Sequence, residues 1–414
     1  MKRARPAPSH GEEKPRVAVV FQRFGPYHLA RLTAASKALD VVGIELSATD
    51  RTYAWEATNT RPQSFERHVV SPDIDREIVF DMARKIWRAL SVADPQAVAI
   101  AGWSHPGALA TLLWCSQRRI PAIVMSDSAE GDSVRSPWRE FIKQHVLSLF
   151  SAGLVAGEPH ARYLEGLGVP SDAIFDGLDV VDNAHFALGA AAAQANDGAL
   201  RARYGLPQWY FLVSSRMIAK KNLFAVIEAY KLYRDAAGPG AWHLVMLGDG
   251  RLMPALRDAV RRAGLDANVH FPGFQQYGAL PAFYGLAGAF ILASTTEQWG
   301  LVVNEAMAAG LPVIVSERCG CCQALVQQGK NGFSFDPADP PQLARYMRRL
   351  TDDPLLAASM GRSGQATIAQ WSPRRFAVNL AAAVARARTR PSDRSFRGVC
   401  LLALLLLRRE RPDD

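Results

Sequence analysis

No apolar run in the 414 residues approaches the roughly 18 to 20 that a membrane-spanning helix requires, so the chain is expected not to cross a bilayer. Cysteine is scarce: Cys115, Cys319, Cys321, Cys322 and Cys400 are the only five. In a chain of this length an odd set fits a reducing cytoplasm better than a disulfide framework. Cys319, Cys321 and Cys322 crowd together in SERCGCCQAL, but no second CxxC and no nearby His-x-x-x-His completes a zinc set. No metal is therefore expected. The opening MKRARPAPSHGEEKPR is basic yet lacks an apolar segment, so nothing in it directs the chain to export, and a cytoplasmic location is expected. No recognisable nucleic-acid module is present either, and no nucleic-acid partner is expected.

What is present is the composition of a globular protein, with 49% hydrophobic and 21% charged residues. The length exceeds what one core usually serves, so two domains of comparable size are expected. The net charge of +9 is concentrated at the ends. Residues 1–16 and 386–414 hold most of it, which leaves a nearly balanced body. Such tails are either solvated ends or points of peripheral contact with an anionic membrane surface, here the inner face, and both readings stay open.

After a basic leader over 1–15, RVAVVF (Arg16–Phe21) opens a series of short apolar runs. VVGIEL near Val41, AVAIA near Ala97, PAIVMS near Pro121 and AGLVAG near Ala152 continue it. Helical periodicity fills most of the gaps, which predicts a parallel sheet covered on both faces. The alanine-rich stretch from Asp182 to Gln208 interrupts the pattern, and a second series follows: WYFLVSS, HLVMLG, NVHF, GAFILAS and PVIVS. The fold class is thus α/β, with two doubly wound Rossmann-like domains, 16–185 and 186–370, facing a cleft. Ser372 and Pro373 begin a helix over 371–390, and 391–414 forms a basic tail. Within that tail the eight residues Cys400–Leu407 are too few to span a membrane and read as a surface-bound helix or a disordered end.

The chemistry concentrates in ILASTTEQWGLVVNEAMAAGLPVIVS (Ile291–Ser316). It reads as strand, polar loop, helix from about Gly300, then strand. Glu297 falls in the loop and Glu305 about one turn inside the helix. The helix start, Gly300 with Leu301 and Val302, offers free N–H groups and a partial positive charge to a diphosphate. Carboxylates accept only, so Glu297 and Glu305 suit the vicinal hydroxyls of a ribose or hexose. Together these features predict a nucleotide-sugar site. In SSRMIAKKN, Arg216 and Lys221 stand five apart across a strand-to-helix loop and can address one anion. Lys220 is the close alternative to Lys221.

These residues resemble the signature of family 4 glycosyltransferases of GT-B fold: two glutamates with seven residues between them, followed by EAMAAGLPVI. The resemblance spans about 16–388, and its specific motifs lie in the second half. It implies a retaining transfer from a nucleoside diphosphate sugar, held as a co-substrate with no tightly bound cofactor or metal. The acceptor, a glycan, a lipid-linked or a small molecule, is left open, within polysaccharide or glycoconjugate biosynthesis. It also implies that Glu297 contacts the donor sugar, Glu305 the ribose, and Arg216 with Lys221 the diphosphate. Gly248 and Gly250 of LGDGRL would border the nucleotide, as shape more than contact, and Phe274 would flank the base or pack in the core. The cysteine loop takes the place of a small, glycine-rich loop beside the donor.

The first domain departs from the pattern. Asp127 in SDSAEGD stands where many members carry a histidine near the reacting carbon. That leaves Asp127, His28 beside Gly25, and His105 all open as the acceptor-side base, each histidine having a capping role as its alternative. A sugar-nucleotide epimerase of the same fold and a non-catalytic nucleotide-sugar-binding protein are the alternative functions.

Overall fold

A computed structural model describes residues 14–49, 63–132, 135–389 and 396–407. Most of the expected leader, residue 390 of the expected helix, and 391–395 and 408–414 of the expected tail lie outside these residues.

Strands β1 (Arg16–Phe21), β2 (Asp40–Ser47), β3 (Glu66–Ser71), β4 (Ala97–Ala101), β5 (Ala122–Ser126), β6 (Ala152–Val155) and β7 (Ile174–Phe175) form one sheet, in the order β3-β2-β1-β4-β5-β6-β7. Every pairing is parallel, with Val19 opposite both Gly43 and Ala99. Strands β8 (Tyr210–Ser214), β9 (His243–Leu247), β10 (Val269–Gly273), β11 (Ala289–Leu292), β12 (Val313–Ser316) and β13 (Gly332–Phe335) form a second parallel sheet, ordered β10-β9-β8-β11-β12-β13. The central strands are apolar and buried because helices cover both faces.

Sequence periodicity finds the buried strands and misses β3, β7 and β13. β3 is the polar ERHVVS at a sheet edge, β7 is two residues long, and β13 is a four-residue edge strand containing glycine and serine. β3 and β7 carry little apolar signal, and in β13 the buried Phe333 and Phe335 are too few to make a run.

Each strand order reverses once, between β1 and β4 and between β8 and β11. At such a switch point the following loops diverge to opposite faces and leave a crevice at the carboxyl ends of the strands. The β8 and β11 loops are the ones that carry Arg216–Lys221 and Glu297.

Two crossings link the sheets, and each is fastened. Asn183 donates to the carbonyls of Ile368 at 2.8 Å and Trp371 at 3.2 Å. Arg375 forks onto Asp176, Nε reaching Oδ1 at 2.8 Å and Nη2 reaching Oδ2 at 2.5 Å. The helix Pro373–Thr389 packs on helix Pro26–Ala35 and sends Phe376 and Leu380 into the core of the first sheet. The apolar octet near the end belongs to the helix Phe396–Leu407, whose Leu402 and Leu406 join that same core. It is docked, not a free end. No helix among the described residues is long and apolar enough to cross a membrane.

Candidate functional site

After β8 the chain makes a tight turn and a short 3-10 helix, Ala219–Lys221, before helix Leu223–Ala237. Asn222 adopts a left-handed conformation, φ +57°, as its side chain donates to Pro337 O at 2.8 Å. This turn directs Lys221 inward, where it is only 9% exposed. Its ammonium donates to Glu297 Oε2, and Lys220 lies 3.7 Å from Oε1. Ser294 donates to the same carboxylate at 3.3 Å. Thr295 N donates to the Lys220 carbonyl at 2.9 Å, so the β8 and β11 loops form one unit. Arg216 lies partly exposed at the start of the β8 loop.

The β9 loop is shaped to fit that unit. Gly248 has φ +126° and its amide donates to Gly273 O at 3.0 Å; a Cβ there would stand 2.0 Å from Ser215 O. A Cβ at Gly250 would stand 2.7 Å from Met217 O. Both glycines therefore act by letting backbones approach. Phe274 is 38% exposed, outside the core and at the carboxyl end of β10.

Gly300 is left-handed, φ +107°, and turns the loop into the helix Leu301–Ala308, whose first residues Leu301 and Val302 are half-buried. Glu305 is 1% exposed. Its Oε1 accepts from Tyr27 at 2.5 Å and its Oε2 from Tyr284 at 2.6 Å. Burial pushes its carboxyl up to about 7, against the two tyrosine hydrogen bonds that favour the charged form. Glu297 and Glu305 thus have different surroundings, one cationic and one phenolic.

The cysteine loop braces the Glu297 segment from below. Gly320 N donates to Glu297 O at 2.9 Å and Cys321 N to Trp299 O at 3.1 Å. A Cβ at Gly320 would meet Gln298 O at 1.8 Å. Cys319, Cys321 and Cys322 are buried and unlinked, and burial pushes their thiols up. No group of three or more His, Cys, Asp or Glu among the described residues is placed to hold a metal ion.

From the first sheet, Asp127 at the end of β5 reaches across the cleft: Gln298 Nε2 donates to its Oδ1 at 3.3 Å. Gln298 is the immediate neighbour of Glu297, so Asp127 faces the β11 loop. Burial, reinforced by the Asp179 carboxylate, pushes Asp127 up to about 6. Asp179 is held by Arg31, Nη2 to Oδ1 at 3.3 Å, and Arg31 Nε donates to Val180 O at 3.0 Å. His160 Nε2 lies 2.8 Å from Gln298 O and completes the seam.

The two other first-domain candidates are engaged locally. His28 Nδ1 accepts from Gly25 N at 3.0 Å and caps its own helix, and burial lowers its pKa to about 3. His105 Nδ1 accepts from Gly107 N at 3.0 Å as the N-cap of helix Pro106–Arg118, and its Nε2 lies 3.1 Å from Asp75. Sequence reasoning did not single out Tyr27, Tyr284, Gln298, Arg31 or Asp179. Tyrosine has no motif of its own; Tyr284 lies 21 residues from Glu305, and the partners of the other four lie far away in the chain.

Residues 199–367 match a family model described as "Glycosyl transferases group 1". The D-inositol 3-phosphate glycosyltransferase of Streptomyces avermitilis is 32% identical over 174 residues, 40% of this chain and 37% of that protein. The 2-deoxystreptamine glucosyltransferase of Streptomyces kanamyceticus is 30% identical over 213 residues, 51% of this chain and 53% of that protein. The matched stretch thus spans about half or less of these relatives. Among solved structures, Anabaena HepE in complex with UDP and glucose superimposes with a TM-score of 0.70 at 16% identity, covering 89% of this chain and 98% of HepE. At that identity the likeness establishes the fold, which is GT-B.

Proposed function

We propose that the chain, whose residues 199–367 match the group 1 glycosyl transferases, transfers a sugar from a nucleoside diphosphate sugar to an acceptor hydroxyl, with retention at the anomeric carbon. The observation that carries this reading is the joined β8–β11 loop pair, where Lys221, Lys220 and Glu297 meet at the switch point of the second sheet. Cations and a carboxylate in one place match a substrate that has a diphosphate next to a hydroxylated ring.

In this reading residues 186–370 hold the donor and 16–185 the acceptor. Arg216, Lys221 and the helix start at Gly300 receive the charge that develops on the departing diphosphate. Glu297 orients the sugar through its hydroxyls and Glu305 holds the ribose. Gly248 gives the nucleotide room, and Phe274 flanks the base. Asp127 takes or relays the acceptor proton from the opposite wall. The transition state is oxocarbenium-like, and closing the cleft keeps water from competing as acceptor. UDP in HepE makes a uridine nucleotide the first donor to try. Peripheral contact with an anionic membrane surface at the inner face, through the basic ends, belongs to the same proposal.

The test is a donor panel read by thermal shift, followed by release of nucleoside diphosphate with candidate acceptors. Transfer lost in Glu297→Ala, Glu305→Ala and Arg216→Ala, each still folded, is the expected outcome. Full activity in all three would sink the proposal. Product formed from donor alone, without acceptor, would indicate an epimerase instead, and binding without turnover a binding protein.

A further inference from the structure

Glu305, the residue proposed to hold the donor ribose, already has both carboxylate oxygens engaged. Tyr284, on the short helix Leu280–Gly285 of its own domain, donates to Oε2 at 2.6 Å. Tyr27, the second residue of helix Pro26–Ala35, comes from the opposite domain and donates to Oε1 at 2.5 Å. The Tyr27 ring is steadied edge-on against Tyr277, centroids 5.6 Å apart, and Tyr277 in turn stacks on His185 at 4.1 Å. With Glu305 only 1% exposed, neither oxygen is accessible to an incoming ligand while both tyrosines are in place.

A tyrosine hydroxyl and a ribose hydroxyl are chemically alike at this point. Each is a neutral O–H donor, and each makes a short charge-assisted bond to a carboxylate oxygen. We infer that Tyr27 stands in for a ribose hydroxyl on Glu305 Oε1, so that Tyr27 and the donor nucleotide exclude one another there. The inference rests on the donor-site reading above and adds a residue of the first domain to it. Tyr27 sets donor affinity, because part of the binding energy of the ribose is spent on displacing it. Its departure also removes a direct link between the two domains as the donor arrives.

The test compares wild type with Tyr27→Phe in calorimetric titrations with uridine diphosphate and with 2′,3′-dideoxyuridine diphosphate, which lacks both ribose hydroxyls. The variant is expected to bind uridine diphosphate about tenfold tighter, the scale of one hydrogen bond to a charged group. Its affinity for the dideoxy nucleotide should stay within about twofold of wild type, since that ligand leaves Glu305 to its tyrosines. Unchanged or weaker uridine diphosphate binding would overturn the inference, as would equal tightening for both ligands. Tyr27→Leu also lacks the hydroxyl, and carries the same expectation should the phenylalanine variant misfold. If wild type binds no uridine, adenosine or guanosine diphosphate, the donor-site reading itself fails and takes this inference with it. If wild type binds but the variant shows no difference between the two ligands, only the role of Tyr27 is lost.

Discussion

Lys221 donates to one oxygen of Glu297 while Lys220 stands 3.7 Å from the other, so two successive lysines clasp a carboxylate that lies 76 residues further along the chain. Lys221 is the buried member of the two and Lys220 the more exposed, with 33% of its side chain accessible. That asymmetry separates their roles. Lys221→Ala should lower turnover by roughly 10²- to 10³-fold, the usual cost of one positioned donor of positive charge. It should also lower the melting temperature, since Glu297 would lose its nearest cation in a site largely closed to water. Lys220→Ala should cost much less in both respects. Nucleoside diphosphate release and thermal melts on the two variants check the assignment, and equal losses would remove the distinction.

Asp127 and Gln298 give the proposed acceptor side its own test. With Asp127 pushed up to about 6, a base at this position is charged and active above that pH and is lost as pH falls through it. The kcat/KM profile of wild type should therefore drop on its acid side near pH 6. Asp127→Asn should lack that limb and run about 10²- to 10⁴-fold slower. A limb that survives in Asp127→Asn and disappears in His105→Ala would move the role to His105.

The same buried acids predict how stability depends on pH. Glu305 at about 7 and Asp127 at about 6 lie above their usual values of 4.5 and 3.8, so at these two sites the folded chain binds more protons than the unfolded one between these limits. Burial lowers His28 to about 3 and lowers His243 and His270 as well, which adds a rise in stability up to about pH 6.5. Glu305 and Asp127 themselves contribute a fall in ligand-free stability as pH rises from about 4 through 7. Glu66, Glu77 and Glu140 are shifted down by their hydrogen-bond partners and act in the opposite sense, their contribution being lost as pH falls below about 4.5. Between about pH 5 and 8 the melting temperature of wild type should fall relative to that of Glu305→Gln/Asp127→Asn, the histidine contribution being common to both. A difference between the two proteins that stays constant with pH would rule these two residues out as titrating there.

Gly248 offers a test of shape. An alanine there combines a left-handed φ of +126° with a Cβ placed 2.0 Å from the Ser215 carbonyl oxygen. Gly248→Ala should destabilise by about 1 to 3 kcal/mol. It should also weaken nucleotide binding, because Ser215 directly precedes Arg216. Chemical denaturation with and without uridine diphosphate measures both effects, and unchanged binding would confine Gly248 to the fold.

Much of this protein is legible in its sequence. Buried parallel strands need continuous apolar runs, so the cores of both sheets could be read from residues such as Val17–Phe21 and Tyr210–Val213. The Glu297–Glu305 spacing could be read for a related reason: one strand, one loop and one helix carry it, and local geometry alone fixes where the two carboxylates lie. Arg216 and Lys221 are likewise placed by a single loop.

Tertiary structure alone decided whatever depends on partners distant in sequence. His28, His105 and Asp127 were equivalent candidates in the sequence. Folding turned the two histidines onto backbone amides of their own loops and left Asp127 facing Gln298. The carboxylate of Glu305 reads as an open acceptor in the sequence, but in the fold it is closed by Tyr27, 278 residues away, and by Tyr284. The sequence determines which groups suit the proposed nucleotide sugar because chemistry and local spacing suffice for that. Which of them are already occupied depends on how two domains meet, and no local pattern encodes that meeting.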